Sequence, residues 1–190
     1  LLVVPWLRDD YTVVLATDIL IAALFAASLQ FLLGTGGMTS FGHAAYFGVG
    51  AYCAAVAVKA GWPMPAAFAV APVGALVAAI VFGWFCVRLS GVYLAMLTLA
   101  FAQISWSIVF QWDSFTGGSN GVFGVWPSAW LAGKTAYYYL ALAFCGAGIA
   151  LLWRVLFSPF GFALRAGRDS PLRAEAIGID LRAYQWMAFV

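Results

Sequence analysis

The chain has 190 residues, 65% of them hydrophobic and only 8% charged, with a mean hydropathy of +0.98. A soluble domain carries about 25% charge, so the polar surface here is too small to cover a globule in water, and the expected solvent is a lipid bilayer. The formal net charge is +2, and no long basic stripe exists outside residues 158–182, which argues against nucleic acid as a partner. Cys53, Cys86 and Cys145 all lie in apolar stretches, with no CxxC and no metal-ligand neighbour, and read as small buried hydrophobes.

A crossing needs about 20 apolar residues at about 1.5 Å rise each. The first predicted span covers residues 12–33. Asp18 lies about 10 Å inside it, and an acid at that depth is either functional or close to the headgroups. Arg8, Asp9 and Asp10 mark the water boundary. Gln30, and Gln103 further on, are polar residues expected to bond across helices.

The second span, 40–58, is rich in small residues. Ala44, Gly48, Ala51 and Ala55, with Gly50 and Ala54 alongside, let backbones approach closely in lipid. Such a face serves ordinary packing or lines a narrow pathway. His43, near its start, is the only histidine; a packed or capping role is expected for it, and a proton relay is the alternative.

The third and fourth spans cover 63–87 and 91–111. The following segment, 111–135, is turn-rich, and Trp106, Trp112, Trp126, Trp130 and Tyr137 to Tyr139 crowd around it as an interfacial belt would. Within it, Thr116-Gly117-Gly118-Ser119-Asn120-Gly121 could present backbone N–H groups to an anion or carboxylate at a substrate entrance, or be a plain surface turn. Gly133-Lys134-Thr135 imitates the end of a phosphate-binding loop, but Ser128 stands where that motif needs glycine. Gly48-Val49-Gly50 fails as a dinucleotide fingerprint, since Cys53 occupies the third glycine position. There is no nucleophile elbow and no HExxH. No catalytic residue, cofactor site or metal site is assigned, and any ATP would be bound by another subunit.

The fifth span covers 136–157. Beyond it, the 158–182 segment holds Arg165, Arg168, Asp169, Arg173, Glu175, Asp180 and Arg182, close to half of the chain's charge. Ser170 is placed to cap a short helix, Pro171 suits its first position, and Leu172 to Ile177 would form about two turns. Gly178 is placed to end them in a left-handed conformation. Two turns are unstable alone in water, so this helix needs a surface to lie on, either lipid headgroups or a groove in a soluble protein. A sixth span begins near Ala183. The first and last residues are apolar and both ends look cut, so a part of a larger membrane protein is expected; no basic n-region marks a signal peptide.

With the 158–182 segment inside the cell, Arg88, Arg154, Arg165, Arg168, Arg173 and Arg182 fall inside, and Arg8, Lys59 and Lys134 outside. This obeys the positive-inside rule, and the opposite orientation violates it.

Four stretches, in order and spacing, resemble the permease subunits of branched-chain (hydrophobic) amino acid ABC importers, specifically the second of the two paired permeases. They are 36–52 (GGMTSFGHAAYFGVGAY), 88–101 (RLSGVYLAMLTLAF), 116–121 (TGGSNG) and Phe160-Gly161 through Asp180. Departures occur at Met38-Thr39, Ser90 and Arg154. The resemblance implies an all-α polytopic transmembrane helix bundle with about five complete spans, one permease domain over 1–190, and a cytoplasmic coupling loop at 158–182. It implies a non-catalytic subunit of the bacterial inner membrane that forms the pathway with a paired permease. Two cytoplasmic ATP-binding subunits and an extracytoplasmic solute-binding protein would complete the importer. Coupling to the ATPases would fall to Arg165, Arg168, Asp169, Arg173, Glu175 and Gly178, with residues 165–180 as the coupling helix. Candidates for the pathway are Gly42, His43, Gly48, Thr116, Gly117, Gly118 and Asn120. The glycine-rich external loop leans toward amino acids over urea or short amides. An ion-coupled carrier would need buried acids that titrate, and Asp18 is the only good one. An intramembrane enzyme would need more than one histidine or paired acids within the spans.

Overall fold

A computed structural model describes residues 10–125, 131 and 133–190. Arg8, Asp9, Trp126, Ser128 and Trp130 lie outside the described residues. Every regular element described is helical. The chain divides into two compact units, residues 1–31 with 127–162, and residues 32–126 with 163–190.

The first unit is built on α1 (Asp10–Gln30) and α6 (Lys134–Leu156). The two helices run parallel. Lys134 Nζ meets Asp10 at 2.7 Å at their N-termini, the Cys145 thiol points at the Leu20 carbonyl, and Leu24 packs into the space left by Gly148. The residue offset stays near 124 throughout, which only a parallel pair can maintain. Val13, Leu20, Tyr138 and Cys145 form its buried centre. Lys134 is thus an end clamp of this pair, consistent with rejecting it as a phosphate-loop lysine.

Among the described residues, four helical stretches are long and apolar enough to cross a bilayer: Asp10–Thr35, Met64–Cys86, Gly91–Gln111 and Lys134–Leu156. The first combines α1 with a π-helical turn, Phe31–Thr35. The others are α3 (Met64–Cys86), α4 (Gly91–Gln111) and α6. The second predicted span is α2 (His43–Lys59), which has 17 residues, about 25 Å at helical rise and at the lower limit for crossing. If each of the four long helices spans, parallel α1 and α6 call for an odd number of passages between them, which α2 would complete beside α3 and α4.

The second unit contains α2 to α4. A four-residue link forces α2 and α3 into an antiparallel hairpin. Their contact is close because it is made of small groups. A Cβ on Gly50 would lie 3.2 Å from the Ala71 carbonyl, and one on Gly74 would collide with Cys53. The buried face of α2 is therefore Gly50 and Ala57, while Ala44 and Ala51 stand exposed. This corrects the 44/48/51/55 packing face expected from spacing. Both faces of α2 are small, and only α3 decides between them. Phe82 stacks on Phe101 at 4.5 Å, joining α3 to α4.

Residues 159–180 are not one helix. They form α7 (Pro159–Asp169) and α8 (Pro171–Ala176), broken at Ser170-Pro171, where proline removes a backbone donor. Ser170 occupies the cap position without a side-chain cap bond, so its hydroxyl does not play the expected role. The C-terminal end of α8 is as expected. Gly178 is left-handed (φ 87°), its N–H donates to the Glu175 carbonyl, and the Ile179 N–H donates to the Ala174 carbonyl. This pair of bonds satisfies the last carbonyls of the helix. Finally α9 (Leu181–Phe189) starts at Asp180, whose carboxylate accepts from the Ala183 N–H at 3.2 Å. It packs on α3 through Trp186, whose indole N–H donates to the Ile80 carbonyl.

Large apolar side chains such as Val14, Ile19, Val73, Val77, Val92 and Leu151 are exposed along the long helices. In water such a surface would be an aggregation liability; in lipid it is the expected exterior.

Candidate functional site

Within the second unit, α2, α4 and the loop after α4 enclose a cavity of about 500 Å³. Ala44, Ala45, Gly48, Val49 and Tyr52 line it from α2, and Ala102, Ser105, Trp106, Val109 and Phe110 from α4. Gly118, Ser119, Asn120 and Gly121 border it at the loop end. The walls are therefore small and aliphatic, with one aromatic shelf where Trp106 stacks on Phe110 at 4.9 Å and 17°. Polar groups gather at the loop end. This combination, apolar walls with few polar groups, is typical of sites for small molecules.

The wall spacing is set at the N-terminal end of α2. The Phe41 N–H donates to Thr98 Oγ1 at 3.1 Å, and that hydroxyl donates in turn to the Ala95 carbonyl. Gly42 is buried, and a Cβ there would lie 2.2 Å from the Thr98 carbonyl oxygen. Only glycine allows α2 to start this close to α4. Gly42 therefore positions the helix and stands outside the cavity lining. His43 is half-buried beside Tyr46, edge to face at 6.2 Å, and also lies outside the lining.

The loop is held from within. Asp113–Thr116 forms one helical turn, α5. Thr116 is buried, and its hydroxyl lies within hydrogen-bond reach of the Val109 and Trp112 carbonyls. Gly117 and Gly118 both take positive φ, 77° and 53°, turning the chain back over α4. The Gly117 N–H donates to the Asp113 carbonyl, the Asn120 N–H to Gly117, the Gly121 N–H to Gly118, and the Gly118 N–H to Thr116 Oγ1. These N–H groups are spent inside the loop, which corrects the expectation that glycines here offer them to an anion. What the loop presents to the cavity is Ser119 and Asn120, both exposed. Of the seven pathway candidates, Gly48, Gly118 and Asn120 come together at one cavity; Gly42, Thr116 and Gly117 shape its borders. Trp106, Phe110 and Tyr52 also line it. The signal of Trp106 and Phe110 in the sequence, large aromatics one turn apart on α4, is not distinguishable from lipid-facing residues.

The charged segment divides in two. Arg168 is exposed, but its guanidinium reaches back to donate to the Gly34 carbonyl at the end of the π-helical turn. It also grips Asp169 from Nε and Nη2, at 2.9 and 2.8 Å. Its aliphatic stem fills the space beside Gly37. Arg165 is half-buried. Arg173 and Glu175 on α8 point outward, next to Leu172 and Ile177, which are 82% and 75% exposed. Asp18 sits about 12 Å along α1 from Asp10, on the exposed side opposite buried Val13, Thr17 and Leu20.

Comparison with known proteins agrees with this arrangement. A family model described as the permease component of the branched-chain amino acid transport system matches residues 11–190. The chain is similar to the high-affinity branched-chain amino acid transport system permease protein LivM of Escherichia coli (strain K12), at 25% identity, over 97% of this chain and 50% of the relative. The chain thus spans about half the length of the curated relative it matches. No solved structure matches. With the match running through every described helix, this multi-pass membrane chain belongs to the family of branched-chain amino acid transport system permease components.

Proposed function

We propose that the chain forms part of the translocation pathway of an ATP-driven importer for branched-chain or other hydrophobic amino acids in the bacterial inner membrane. The observation that carries this is the cavity between α2 and α4, which joins an aliphatic interior to a polar outer end at Ser119 and Asn120. An amino acid with an apolar side chain has the same division. The pathway is completed by a paired permease, two cytoplasmic ATP-binding subunits drive it, and an extracytoplasmic solute-binding protein delivers to it.

Coupling is assigned to α7 and α8. A six-residue helix does not persist in water by itself, and α8 is held instead by the Gly178 cap and by buried Ala174. Its outer face, Leu172, Arg173, Glu175 and Ile177, is left for an ATPase groove. Arg165, Arg168 and Asp169 support that face from behind, with Arg168 joined to the end of the first span at Gly34.

The test is reconstitution of the full-length chain with its paired permease, ATPases and binding protein, followed by uptake of labelled leucine. Uptake should require ATP and fall at least tenfold when Asn120→Leu blocks the polar end. Uptake that survives ATP depletion and collapses with the ion gradient would instead make the protein a secondary carrier.

A further inference from the structure

Three glycines line the cavity, and two of them have local reasons to be glycine. Gly118 and Gly121 both adopt positive φ, where side chains are strained, and the Asp113 carboxylate occupies the space beside Gly118. Gly48 has neither reason. It lies inside α2 with helical backbone, and a Cβ placed on it meets nothing within 4 Å. Its neighbour one face away, Gly50, is the glycine that packs, against the Ala71 carbonyl. Glycine inside a helix is disfavoured relative to alanine, so a position with free room and no close neighbour gains nothing locally from it. What the missing side chain does supply is volume in the cavity wall formed by α2.

We infer that Gly48 is a specificity-determining residue that sets the largest solute side chain this cavity admits. The inference rests on the transport reading above and adds a size limit to it. Alanine would narrow the cavity by one methyl group. Gly48→Val and Gly48→Leu would fill it progressively further. Discrimination by one methylene in an apolar pocket is worth about 10- to 200-fold, so the effect should grow steeply along the series.

The experiment uses the reconstituted full-length importer with wild-type chain, Gly48→Ala, Gly48→Val and Gly48→Leu. Labelled alanine, valine, leucine and phenylalanine are the probes, and each rate is divided by the wild-type rate for the same solute, which cancels selection by the binding protein. Gly48→Leu should lose phenylalanine and leucine uptake about tenfold or more while alanine uptake stays within about twofold, with Gly48→Ala between. Gly48→Ala should purify with unchanged yield and melting temperature, because its Cβ has room. An equal fall for all four solutes, or no change for any, overturns the size limit while leaving transport intact. If the wild-type assembly carries none of the four, the transport reading itself fails, and the size limit falls with it.

Discussion

Gly178 offers the sharpest test of how the short charged helix is held. It ends α8 at φ 87°, and the two bonds that close the helix, from the Gly178 and Ile179 N–H groups, depend on that angle. A Cβ at 178 would touch nothing within 4 Å, so any cost of substitution is purely conformational. Holding an L-residue in the left-handed region costs about 1–2 kcal/mol. A change of that size alters the ratio of ordered to frayed helix by about 5- to 30-fold, and a six-residue helix has no internal reserve to absorb it. Gly178→Asn should lose least, since asparagine tolerates this region; Gly178→Ala should lose more and Gly178→Val most. Hydrogen exchange at the Ile179 amide reads the cap directly, and ATP-driven uptake by the assembled importer reads its consequence. Protection should fall and uptake should follow in the same order. If Gly178→Val exchanges and transports like wild type, the cap is not what orders α8.

Changes at Gly42 and Thr116 probe the framework around the cavity, and a double-mutant cycle probes the helix pair of the first unit. Gly42→Ala puts a methyl group 2.2 Å from the Thr98 carbonyl oxygen, so it should destabilise by about 1–3 kcal/mol through overpacking, read as a lower melting temperature in detergent; an unchanged value would mean that α2 and α4 are not in this contact. Thr116→Val keeps the shape and removes the hydroxyl that ties the loop to α4, so it should cost about 1–2 kcal/mol in the same assay, with Thr116→Ser largely retaining stability. The Asp10–Lys134 pair is 80% and 54% exposed, and a double-mutant cycle with Asp10→Ala and Lys134→Ala should give a coupling of at most about 1 kcal/mol that shrinks with added salt.

The long helices were legible because each is an apolar run bounded by an interruption. The predicted fourth span, 91–111, coincides with α4, and the third and fifth differ from α3 and α6 by one or two residues. Glycine, proline and charge mark those ends locally. The second span began three residues early because its start is set by a tertiary contact, Gly42 on Thr98, that local sequence does not carry. The same holds for its packing face. Small residues occur all round α2, so spacing names several faces, and α3 selects the one with Gly50. In α7, Gly161, Leu164 and Gly167 recur every third residue and are buried, a helical signal masked by Arg165 within the run and by Arg168 and Asp169 after it. At the cavity, the glycine-rich loop was found by composition, yet its role inverted. Its N–H groups satisfy the loop itself, and its side chains face the space.

Arg168 shows why a charged residue in the 158–182 segment need not belong to the surface that meets a partner. Its guanidinium donates to the Gly34 carbonyl, one of those left over where the π-helical turn ends, which is where a cation is favoured by the helix dipole. Its stem occupies the space beside Gly37. A side chain there would have to displace the arginine. From Gly37 the chain needs only four more residues to reach Phe41, whose N–H is fixed to Thr98, and α2 begins two residues later. The segment 37–42 is therefore anchored at one end by α7 and at the other by α4, and it feeds the helix whose next turns line the cavity. Packed, hydrogen-bonded elements of this kind can carry energetic coupling between distant sites. Both anchors are side chains that bond backbone groups, Arg168 at the Gly34 carbonyl and Thr98 at the Phe41 N–H.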